Sequence, residues 1–511
     1  MRLTENFLLR GLGVERMRTS DKKQHNSLKT KVFSGLIWTF GERIIAQSVS
    51  FIVSIILARI LMPSEYGVVS MILVFINLAN VFVANGFGES LVRKNDASET
   101  DFSTIFYCSF IFSWLLYGIL FVFAPVIADF YSAPLLIPLL RVLALKLPIS
   151  SISTIQHAYV SKHMIFKKFF FSTLGGTLIS GVVGITMAYA GCGTWALIAQ
   201  YLVNTIIDTI VLFITIPWRP KLLFSGRAAK ELVGYGWKIT ASSFINELYT
   251  QLRSLIIGRV YSSEDLAYYN KGNQFPGLII TNIDSAIGKV VFPAMTKVTV
   301  DIEQLKLVSR RALKTTSYLV FPLMVGLFVV AEPLVKILLT DKWIFCVPYL
   351  RCCCIYYMCQ PIQTTNWQII KAMGRSDLCL KLEILKKTIG VTIILLTMKY
   401  GVFAIALGNA IFAIISMIIN IIPNKKLIDY SILDQIADLF PATLLSISMG
   451  IGVYLISYLN LPVLLIFTAQ FVAGCIIYIG GSYIFKLDSF TYLLDTVSPL
   501  FDKLKTKRSN K

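Results

Sequence analysis

Charged residues and histidines are scarce in this sequence. Only 15% of its 511 residues are Asp, Glu, Lys or Arg, and only three are histidine, whereas 56% are apolar. A soluble domain carries about 25% charged residues and is roughly half apolar. The shortage of charge therefore excludes an ordinary soluble fold, and the mean hydropathy of +0.70 indicates a membrane protein.

The sequence also lacks the usual patterns for binding metals and nucleotides. It has nine cysteines but no Cys-x-x-Cys pair accompanied by histidines. In the run "RCCCIYYMC" at 351–359, neighbouring thiols would point about 100° apart on a helix, so we expect them to be packed in a core. No Gly-x-x-x-x-Gly-Lys-Ser/Thr motif occurs, so we predict no ATP hydrolysis, no metal and no other cofactor.

Long apolar runs, by contrast, are abundant. A spanning helix needs about 20 mostly apolar residues. Barrel strands would be about ten residues long and alternating, which these runs are not. We therefore predict an all-α, polytopic membrane protein with about fourteen transmembrane helices. The runs lie near 32–60, 67–92, 104–130, 134–157, 168–190, 193–217, 229–260, 265–292, 312–339, 343–370, 378–400, 402–423, 436–458 and 461–485.

The net charge of +20 is distributed unevenly between the two sides of these helices. Alternate loops are rich in lysine and arginine, whereas "MPSEY", "YSAP", "AGCG" and "YSSED" contain almost none. This asymmetry obeys the positive-inside rule and favours a membrane protein over a nucleic-acid-binding one. It predicts a multi-pass protein of the inner (plasma) membrane with both termini in the cytoplasm.

The two ends of the chain are polar and basic. Residues 1–31 contain no apolar core of a secretory signal, so we expect a disordered cytoplasmic arm, with Met1 and Met17 both candidate start residues. Residues 486–511 are expected to form a basic cytoplasmic tail. No loop is long enough to fold as a separate domain.

The chain repeats itself. Arg59 and Glu65 match Arg259 and Asp265 at an offset of 200 residues, and "PLLR" at 138–141 matches "PYLR" at 348–351 at an offset of 210. Two parallel six-helix repeats are typical of carriers that rock two bundles around a central site. The sequence thus predicts an N-lobe at 32–217, a C-lobe at 229–423 and two extra helices at 436–485.

Four of the predicted helices carry polar stripes. Such stripes cannot face lipid, where an arginine costs at least about 2.5 kcal/mol, so we place them around a water-filled cavity between the lobes. The alternative is that Glu42 with Arg43, and Glu247 with Arg253, only neutralise each other. The predicted cavity residues are Arg43, Gln47, Asn77, Asn246, Arg253, Asn270, Lys271, Asn273 and Gln274, with Glu42, Glu247 and Asp284 as candidate coupling groups.

The chemistry of these residues indicates a class of ligand. Arginine binds phosphate oxygens in bidentate fashion, and asparagine and glutamine both donate and accept, which suits sugar hydroxyls. We therefore predict a ligand that carries phosphate and sugar. For Arg59, Arg93 and Arg259, near helix ends, ligand binding and snorkelling to the membrane interface both remain open.

Three stretches resemble a known family. "LARILMPSEYGVVSM" at 57–71, "NGFGESLVRK" at 85–94 and "AYYNKGNQFPGL" at 267–278 are similar to the corresponding parts of Wzx-type polysaccharide flippases, in the polysaccharide transporter branch of the MOP exporter superfamily. Members of this branch often have Asp where this chain has Asn85, which argues against a proton-linked role for that position.

The resemblance has definite implications. It implies two six-helix lobes with two extra helices, in the bacterial inner membrane. It also implies transfer of undecaprenyl-pyrophosphate-linked oligosaccharide from the cytoplasmic to the periplasmic leaflet, by alternating access, for lipopolysaccharide, capsule or exopolysaccharide synthesis. A glycan polymerase is a possible partner, and no catalytic residue is expected.

Three alternatives stay open. A drug exporter or a lipid II flippase of the same superfamily would share the fold. A membrane glycan polymerase or ligase would need catalytic groups in a substantial periplasmic loop, but the outward loops are short. The three histidines, His25, His157 and His163, fall on the cytoplasmic side or in helix 4. The sequence leaves the glycan and the coupling ion, proton, sodium or none, undetermined.

Overall fold

The structure is a computed structural model, and it describes residues 45–84, 86–94, 96–163, 167–459 and 461–495. Across these residues it is helical and contains no strand. The predicted arm at 1–31, the cavity residues Glu42 and Arg43, Asn85, and the tail beyond residue 495 lie outside the described residues.

Helices in the first part of the chain follow the predicted apolar runs. Two of those runs, 67–92 and 134–157, are each divided into two consecutive helices. The elements are α1 (Ile45–Ile60), α2 (Pro63–Ala84), α3 (Gly86–Arg93), α4 (Glu99–Tyr131), α5 (Leu136–Leu143), α6 (Lys146–His163), α7 (Lys167–Tyr189), α8 (Thr194–Thr215) and α9 (Gly226–Val260).

The second part of the chain shows the same pattern. A short 3₁₀ helix, Asp341–Cys346, precedes the divided run at 343–370. The elements are α10 (Ser263–Thr296), α11 (Ile302–Val329), α12 (Ala331–Leu338), α13 (Val347–Met358), α14 (Gln360–Ala372), α15 (Ser376–Thr397), α16 (Val402–Ile428), α17 (Ile432–Leu455) and α18 (Val463–Ile484).

The all-α, polytopic prediction is confirmed. Within the described residues, ten helices are long and apolar enough to cross a membrane. The described parts of the other four predicted runs are helical too, but they are too short or too charged to be counted among these ten helices. The described part of α1 is short, α9 and α15 carry several charges, and α13 and α14 are each brief.

The chain divides into two compact units between Ala267 and Tyr268. In the N-terminal unit, α7 packs along α8, and α9 packs against α2, α3 and α4. The segment before α9 is held on the start of α4, where the Lys221 and Ser225 amides donate to the hydroxyls of Ser103 (3.1 Å) and Thr104 (3.0 Å). The division into lobes at 32–217 and 229–423 stays a prediction.

The N-terminal unit is also tied together by charge between α3 and α4. The Lys94 ammonium lies 3.0 Å from Asp101 and 3.8 Å from Glu231 at the start of α9. Its hydrogen bond to Asp101 raises the pKa of Lys94 above its ordinary value. The Lys162 ammonium donates to the Lys94 carbonyl at 2.6 Å. These contacts join the ends of α3 and α6 to the starts of α4 and α9.

In the C-terminal unit, α16 packs against α13, α14 and α15, while α17 packs along α11. The cysteines predicted to be core residues, Cys352, Cys353, Cys354 and Cys359, are buried, which confirms that prediction. The last helix, α18, is fastened to α11 because the Tyr318 hydroxyl donates to Ser482 at 2.8 Å. The two extra helices therefore pack on the C-terminal unit.

The sequence repeat has a structural counterpart in each unit. Arg141 donates to the Phe121 carbonyl at 3.3 Å and lies 4.3 Å from the centre of that ring. Arg351, its repeat partner, donates to the Phe328 carbonyl at 3.3 Å and lies 5.6 Å from that ring. The "PLLR" and "PYLR" motifs thus make the same contact, in which a guanidinium binds the carbonyl and ring of a phenylalanine 20 or 23 residues earlier in the chain.

Candidate functional site

The opening repeat places acidic residues at helix starts rather than in a ligand site. Glu65 accepts a hydrogen bond from the Met62 amide at 2.7 Å, just before α2. Asp265 accepts from the Ser262 amide at 3.3 Å and from its hydroxyl at 2.7 Å, just before α10. These carboxylates satisfy amide groups that have no partner within the helix. The repeat therefore preserves a helix cap.

The predicted cavity residues of the N-terminal unit are partly accessible. Gln47 on α1 and Asn77 on α2 are half-buried, whereas Asn246 on α9 is exposed. Arg59 and Arg259 are exposed near helix ends, and the Arg259 guanidinium lies 5.3 Å from the centre of the Phe130 ring. The amide side chains of this unit are therefore not enclosed by its own packing.

Arg253 is the candidate ligand residue with an open hydrogen-bonding position. Its side chain is half-buried, and its Nε is shielded without a hydrogen-bond partner among the described residues. The guanidinium lies 5.7 Å from the centre of the Tyr249 ring. A buried donor without a partner costs about 1–3 kcal/mol of stability. A ligand acceptor that bonds to this Nε would remove that cost, so the hydrogen bond would be stronger than one to an arginine exposed to water.

Glu247 does not face Arg253. Six helical positions rotate a side chain by about 120° relative to the first, so the two groups lie on different faces of α9. Glu247 instead accepts a hydrogen bond from Gln251 at 2.7 Å. Mutual neutralisation therefore does not account for Arg253. Glu42 and Arg43 are outside the described residues.

In the C-terminal unit, the first turns of α10 pack tightly. A methyl group added at Gly272 would lie 2.7 Å from the Leu350 amide nitrogen and 2.9 Å from the Cys346 carbonyl oxygen. Next to it, Lys271 is only 5% exposed, and its ammonium lies 5.6 Å from the centre of the Trp343 ring. Asn270, Asn273 and Gln274 are half-buried. Lys271 is thus the most enclosed of the predicted cavity residues here.

Further along, the polar stripe of α10 faces a second stripe on α13 and α14. Thr364 donates to Asp284 at 3.2 Å. A Cβ at Gly277 would lie 3.1 Å from the Tyr357 hydroxyl, and one at Gly288 would lie 3.6 Å from Gln368 Nε2. We call the set of Gly277, Asp284 and Gly288 with Tyr357, Thr364 and Gln368 the α10–α14 polar interface.

The polar residues on the α13–α14 side of this interface were not predicted from the sequence. Tyr357, Gln360, Thr364 and Gln368 recur at intervals of three, four and four, a helical stripe that was present in the sequence. The run at 343–370 was interpreted only through its cysteines. The periodicity could have been found, but its partner helix could not.

The fold and these stripes define a polytopic, all-helical membrane protein with an internal repeat. Residues 56–348 match the model of the family described as "Polysaccharide biosynthesis protein", and the chain belongs to this family. The family resemblance stated above is thereby confirmed.

Curated relatives and a solved structure are similar to this chain. The lipopolysaccharide biosynthesis protein WzxC of Escherichia coli (strain K12) is 25% identical over 77% of this chain and 81% of its own. The teichuronic acid biosynthesis protein TuaB of Bacillus subtilis (strain 168) is 24% identical over 69% of this chain and 73% of its own. The lipid II flippase MurJ, in an inward closed conformation, shares the fold at a TM-score of 0.70 with 16% identity, over 89% of this chain and 98% of its own.

Proposed function

We propose that this protein is a flippase that moves an undecaprenyl-pyrophosphate-linked oligosaccharide from the cytoplasmic to the outer leaflet of the plasma membrane by alternating access. One observation carries the proposal: a chain built of membrane-length helices belongs to a polysaccharide biosynthesis family. The relatives named for lipopolysaccharide and teichuronic acid synthesis support it. The glycan would serve lipopolysaccharide, capsule or exopolysaccharide synthesis.

The proposal makes the protein a transporter and not an enzyme. Its cargo is built on one side of the membrane and used on the other, so a glycan polymerase that consumes the flipped unit is a proposed partner. Arg253, with Arg43, would bind the pyrophosphate, because guanidinium matches phosphate geometry and keeps its charge. Amides would bind the sugar, namely Gln47, Asn77, Asn246, Asn270, Asn273 and Gln274.

We expect Arg253→Ala to weaken binding of the lipid-linked glycan by about 10- to 100-fold, because a charge-assisted hydrogen bond contributes roughly 1.5–3 kcal/mol. Binding of undecaprenyl pyrophosphate to the purified protein measures this loss. In cells, surface glycan should fall while precursor collects at the inner leaflet. Arg253→Lys should keep part of the activity, since it retains the charge but loses the bidentate fork.

The matched control is Arg227→Ala, an exposed arginine in the first turn of the same helix. This variant should bind undecaprenyl pyrophosphate like the wild type. Equal affinity of the Arg253→Ala and Arg227→Ala variants, at equal protein level, would contradict a binding role for Arg253.

The proposed function itself is tested by expressing the protein in a strain that lacks its polysaccharide flippase, where we expect surface glycan to be restored. If the protein instead supported growth after depletion of the lipid II flippase, it would be a lipid II flippase. If it conferred only resistance to drugs, it would be a drug exporter.

The proposed orientation, with both termini in the cytoplasm, can be tested with one native thiol. Cys192 is exposed between α7 and α8, on the predicted outer side. With Cys108, Cys379 and Cys475 replaced by alanine, Cys192 should react with an impermeant maleimide in intact spheroplasts. The buried cysteines need not be changed.

The inward-facing counterpart is Leu222, which is 95% exposed in the segment between α8 and α9. In the same background with Cys192→Ala, Leu222→Cys should react only after the spheroplasts are lysed. Labelling of Leu222→Cys in intact spheroplasts would overturn the orientation inferred from the lysine and arginine distribution.

A further inference from the structure

Two arginines at matching positions of the repeat, Arg141 and Arg351, use only part of their guanidinium groups. Each donates from Nε to a phenylalanine carbonyl at 3.3 Å and lies over the ring of that phenylalanine. Both side chains are half-buried, and their terminal nitrogens have no hydrogen-bond or ion-pair partner among the described residues. A guanidinium presents its donors in a flat fork that matches the oxygens of a phosphate. Each arginine therefore keeps most of this fork for an anion.

The carbonyl that each arginine binds lacks its usual helical donor. In α4, the Phe121 carbonyl would accept from the amide four residues later, but that residue is Pro125, which has no N–H. In the other unit, Phe328 lies in the last turn of α11, where carbonyl groups have no partner within the helix. Each guanidinium is thus anchored where a helix is interrupted, and this anchor fixes the position of the remaining donors.

Both guanidinium groups lie close to a surface of the membrane. The exposed Asp129 follows Phe121 on α4 by eight residues, which is about 12 Å along a helix. The exposed pair of Glu332 and Lys336 on α12 begins four residues after Phe328, which is about 6 Å. The headgroup layer on each side of a bilayer is roughly 5–8 Å thick, and long basic side chains extend toward it. The terminal nitrogens are therefore within reach of lipid phosphates.

Exposed apolar side chains continue from each arginine toward the start of the helix that it binds. On α4, the ring centre of Tyr117 lies 5.8 Å from that of Phe121, and the ring centre of Trp114 lies 5.5 Å from that of Tyr117. Trp114 is 46% exposed, and on α11 Leu323 is 45% exposed before Phe328. A cation near the surface above a row of exposed apolar groups matches the shape of a lipid, in which a phosphate lies above an acyl chain.

We propose that Arg141 and Arg351 each bind the phosphate of an anionic membrane phospholipid, with an acyl chain lying along the exposed apolar row of α4 or α11. A soluble anion would make no use of the apolar rows. A cargo that is moved one molecule at a time needs no second, equivalent site, whereas this arrangement occurs once in each unit. The proposal does not depend on the proposed function.

An anionic headgroup suits these sites better than a zwitterionic one. The ammonium group of a zwitterionic headgroup competes with the arginine for the phosphate oxygens of its own lipid, whereas phosphatidylglycerol has no such group. Hydrogen bonds between a guanidinium and a phosphate are charge-assisted and short, and they are frequently bidentate. A bound phosphatidylglycerol would therefore hold each arginine on its phenylalanine carbonyl and stabilise the interrupted helix.

The test is native mass spectrometry of the purified full chain, titrated with phosphatidylglycerol in detergent. We expect two lipids to bind the wild type more tightly than any others. Arg141→Gln and Arg351→Gln should each weaken one of these two sites by about 10- to 100-fold, because charge-assisted hydrogen bonds are lost. Glutamine can still donate to the phenylalanine carbonyl, so the interrupted helix keeps a partner. Diacylglycerol, which has the chains but no phosphate, should not displace either lipid.

The matched control is Arg375→Gln, which removes the same charge from an exposed arginine that already binds Asp377 through two hydrogen bonds of 2.9 Å. This variant should bind phosphatidylglycerol like the wild type. Equal binding by the wild type and the double variant, Arg141→Gln with Arg351→Gln, would overturn the proposal. So would displacement by diacylglycerol, or displacement of both lipids by equimolar undecaprenyl pyrophosphate, which would assign the arginines to the cargo.

Thermal unfolding in detergent gives a second measurement. Phosphatidylglycerol should raise the melting temperature of the wild type and of Arg375→Gln, but not that of the double variant. Arg141→Lys with Arg351→Lys keeps both charges without the fork and should show part of the rise. An equal rise in the wild type and the double glutamine variant would contradict the proposal. Neither measurement uses cargo, so a failure of transport would contradict only the proposed function.

Discussion

Gly67→Ala should remove most of the folded protein from the membrane. A methyl group at this position would overlap the carbonyl oxygen and the carbonyl carbon of Ser263. Both atoms belong to the backbone at the start of α10, so no side chain can move aside. Interiors are close-packed and transmit such overlaps as strain, so the start of α2 would have to separate from α10. Immunoblots of membrane fractions and the melting temperature of the detergent-solubilised protein measure the effect.

Gly118→Ala is the control for this prediction. Gly118 lies within α4, and a methyl group there would meet nothing within 4 Å. Alanine is better than glycine in a helix by about 0.8–1.0 kcal/mol, so this variant should be as stable as the wild type or slightly more so. Equal accumulation of the Gly67→Ala and Gly118→Ala variants would show that α2 and α10 do not need this close approach.

Asp438→Ala should cause the second large loss, by releasing α17 from α11. The Asp438 side chain is only 3% exposed, and Arg310 binds it with two hydrogen bonds of 2.7 Å. Lys314 lies 3.3 Å from it, and the Tyr430 hydroxyl donates to it at 2.8 Å. Removing one member of a buried pair costs roughly 3–5 kcal/mol, and partial exposure of Arg310 places this variant near the lower end. Denaturant titration in mixed micelles measures the free energy of unfolding.

The control is Asp429→Asn, which neutralises an exposed carboxylate that lies 3.4 Å from Lys306; asparagine tolerates the left-handed backbone at this position, where φ is 50°. Exposed pairs contribute about 0–1 kcal/mol, so this change should be small. A triple variant, Asp438→Leu with Arg310→Met and Lys314→Met, should recover much of the lost stability, because no unpaired charge remains. If Asp438→Ala unfolded no more easily than Asp429→Asn, the ion pairs would not hold α17 in place.

Much of the fold could be predicted because the bilayer constrains the chain strongly. Every backbone amide and carbonyl in the hydrocarbon core must be bonded within the protein, so apolar runs of sufficient length become helices. For this reason the described part of each of the fourteen runs corresponds to one helix or to consecutive helices. The repeat was also visible, because Arg141 and Arg351 each bind a phenylalanine carbonyl 20 to 23 residues earlier, and such contacts keep similar residues at similar spacing in both halves.

The roles of single polar residues were less predictable. Glu65 and Asp265 were recognised in the sequence as partners in the repeat. A serine three residues before an acidic residue is also a known signal for a helix N-cap. Their capping role could have been predicted from Ser262 and Asp265. The spacing of polar residues predicted Arg253 as part of a polar stripe, but the sequence did not show that its Nε lacks a partner among the described residues.

The sequence by itself determined where the helices lie, that they repeat, and which residues on them are polar. Hydrophobicity and helical periodicity are properties of a single segment, so they can be read along the chain. Only the tertiary structure decided that α9 packs with α2, α3 and α4, that Asp438 joins α17 to α11, and that Thr364 faces Asp284. Those contacts join residues far apart in the chain, and helix packing depends on side-chain shapes at both surfaces, which no single stretch of sequence contains.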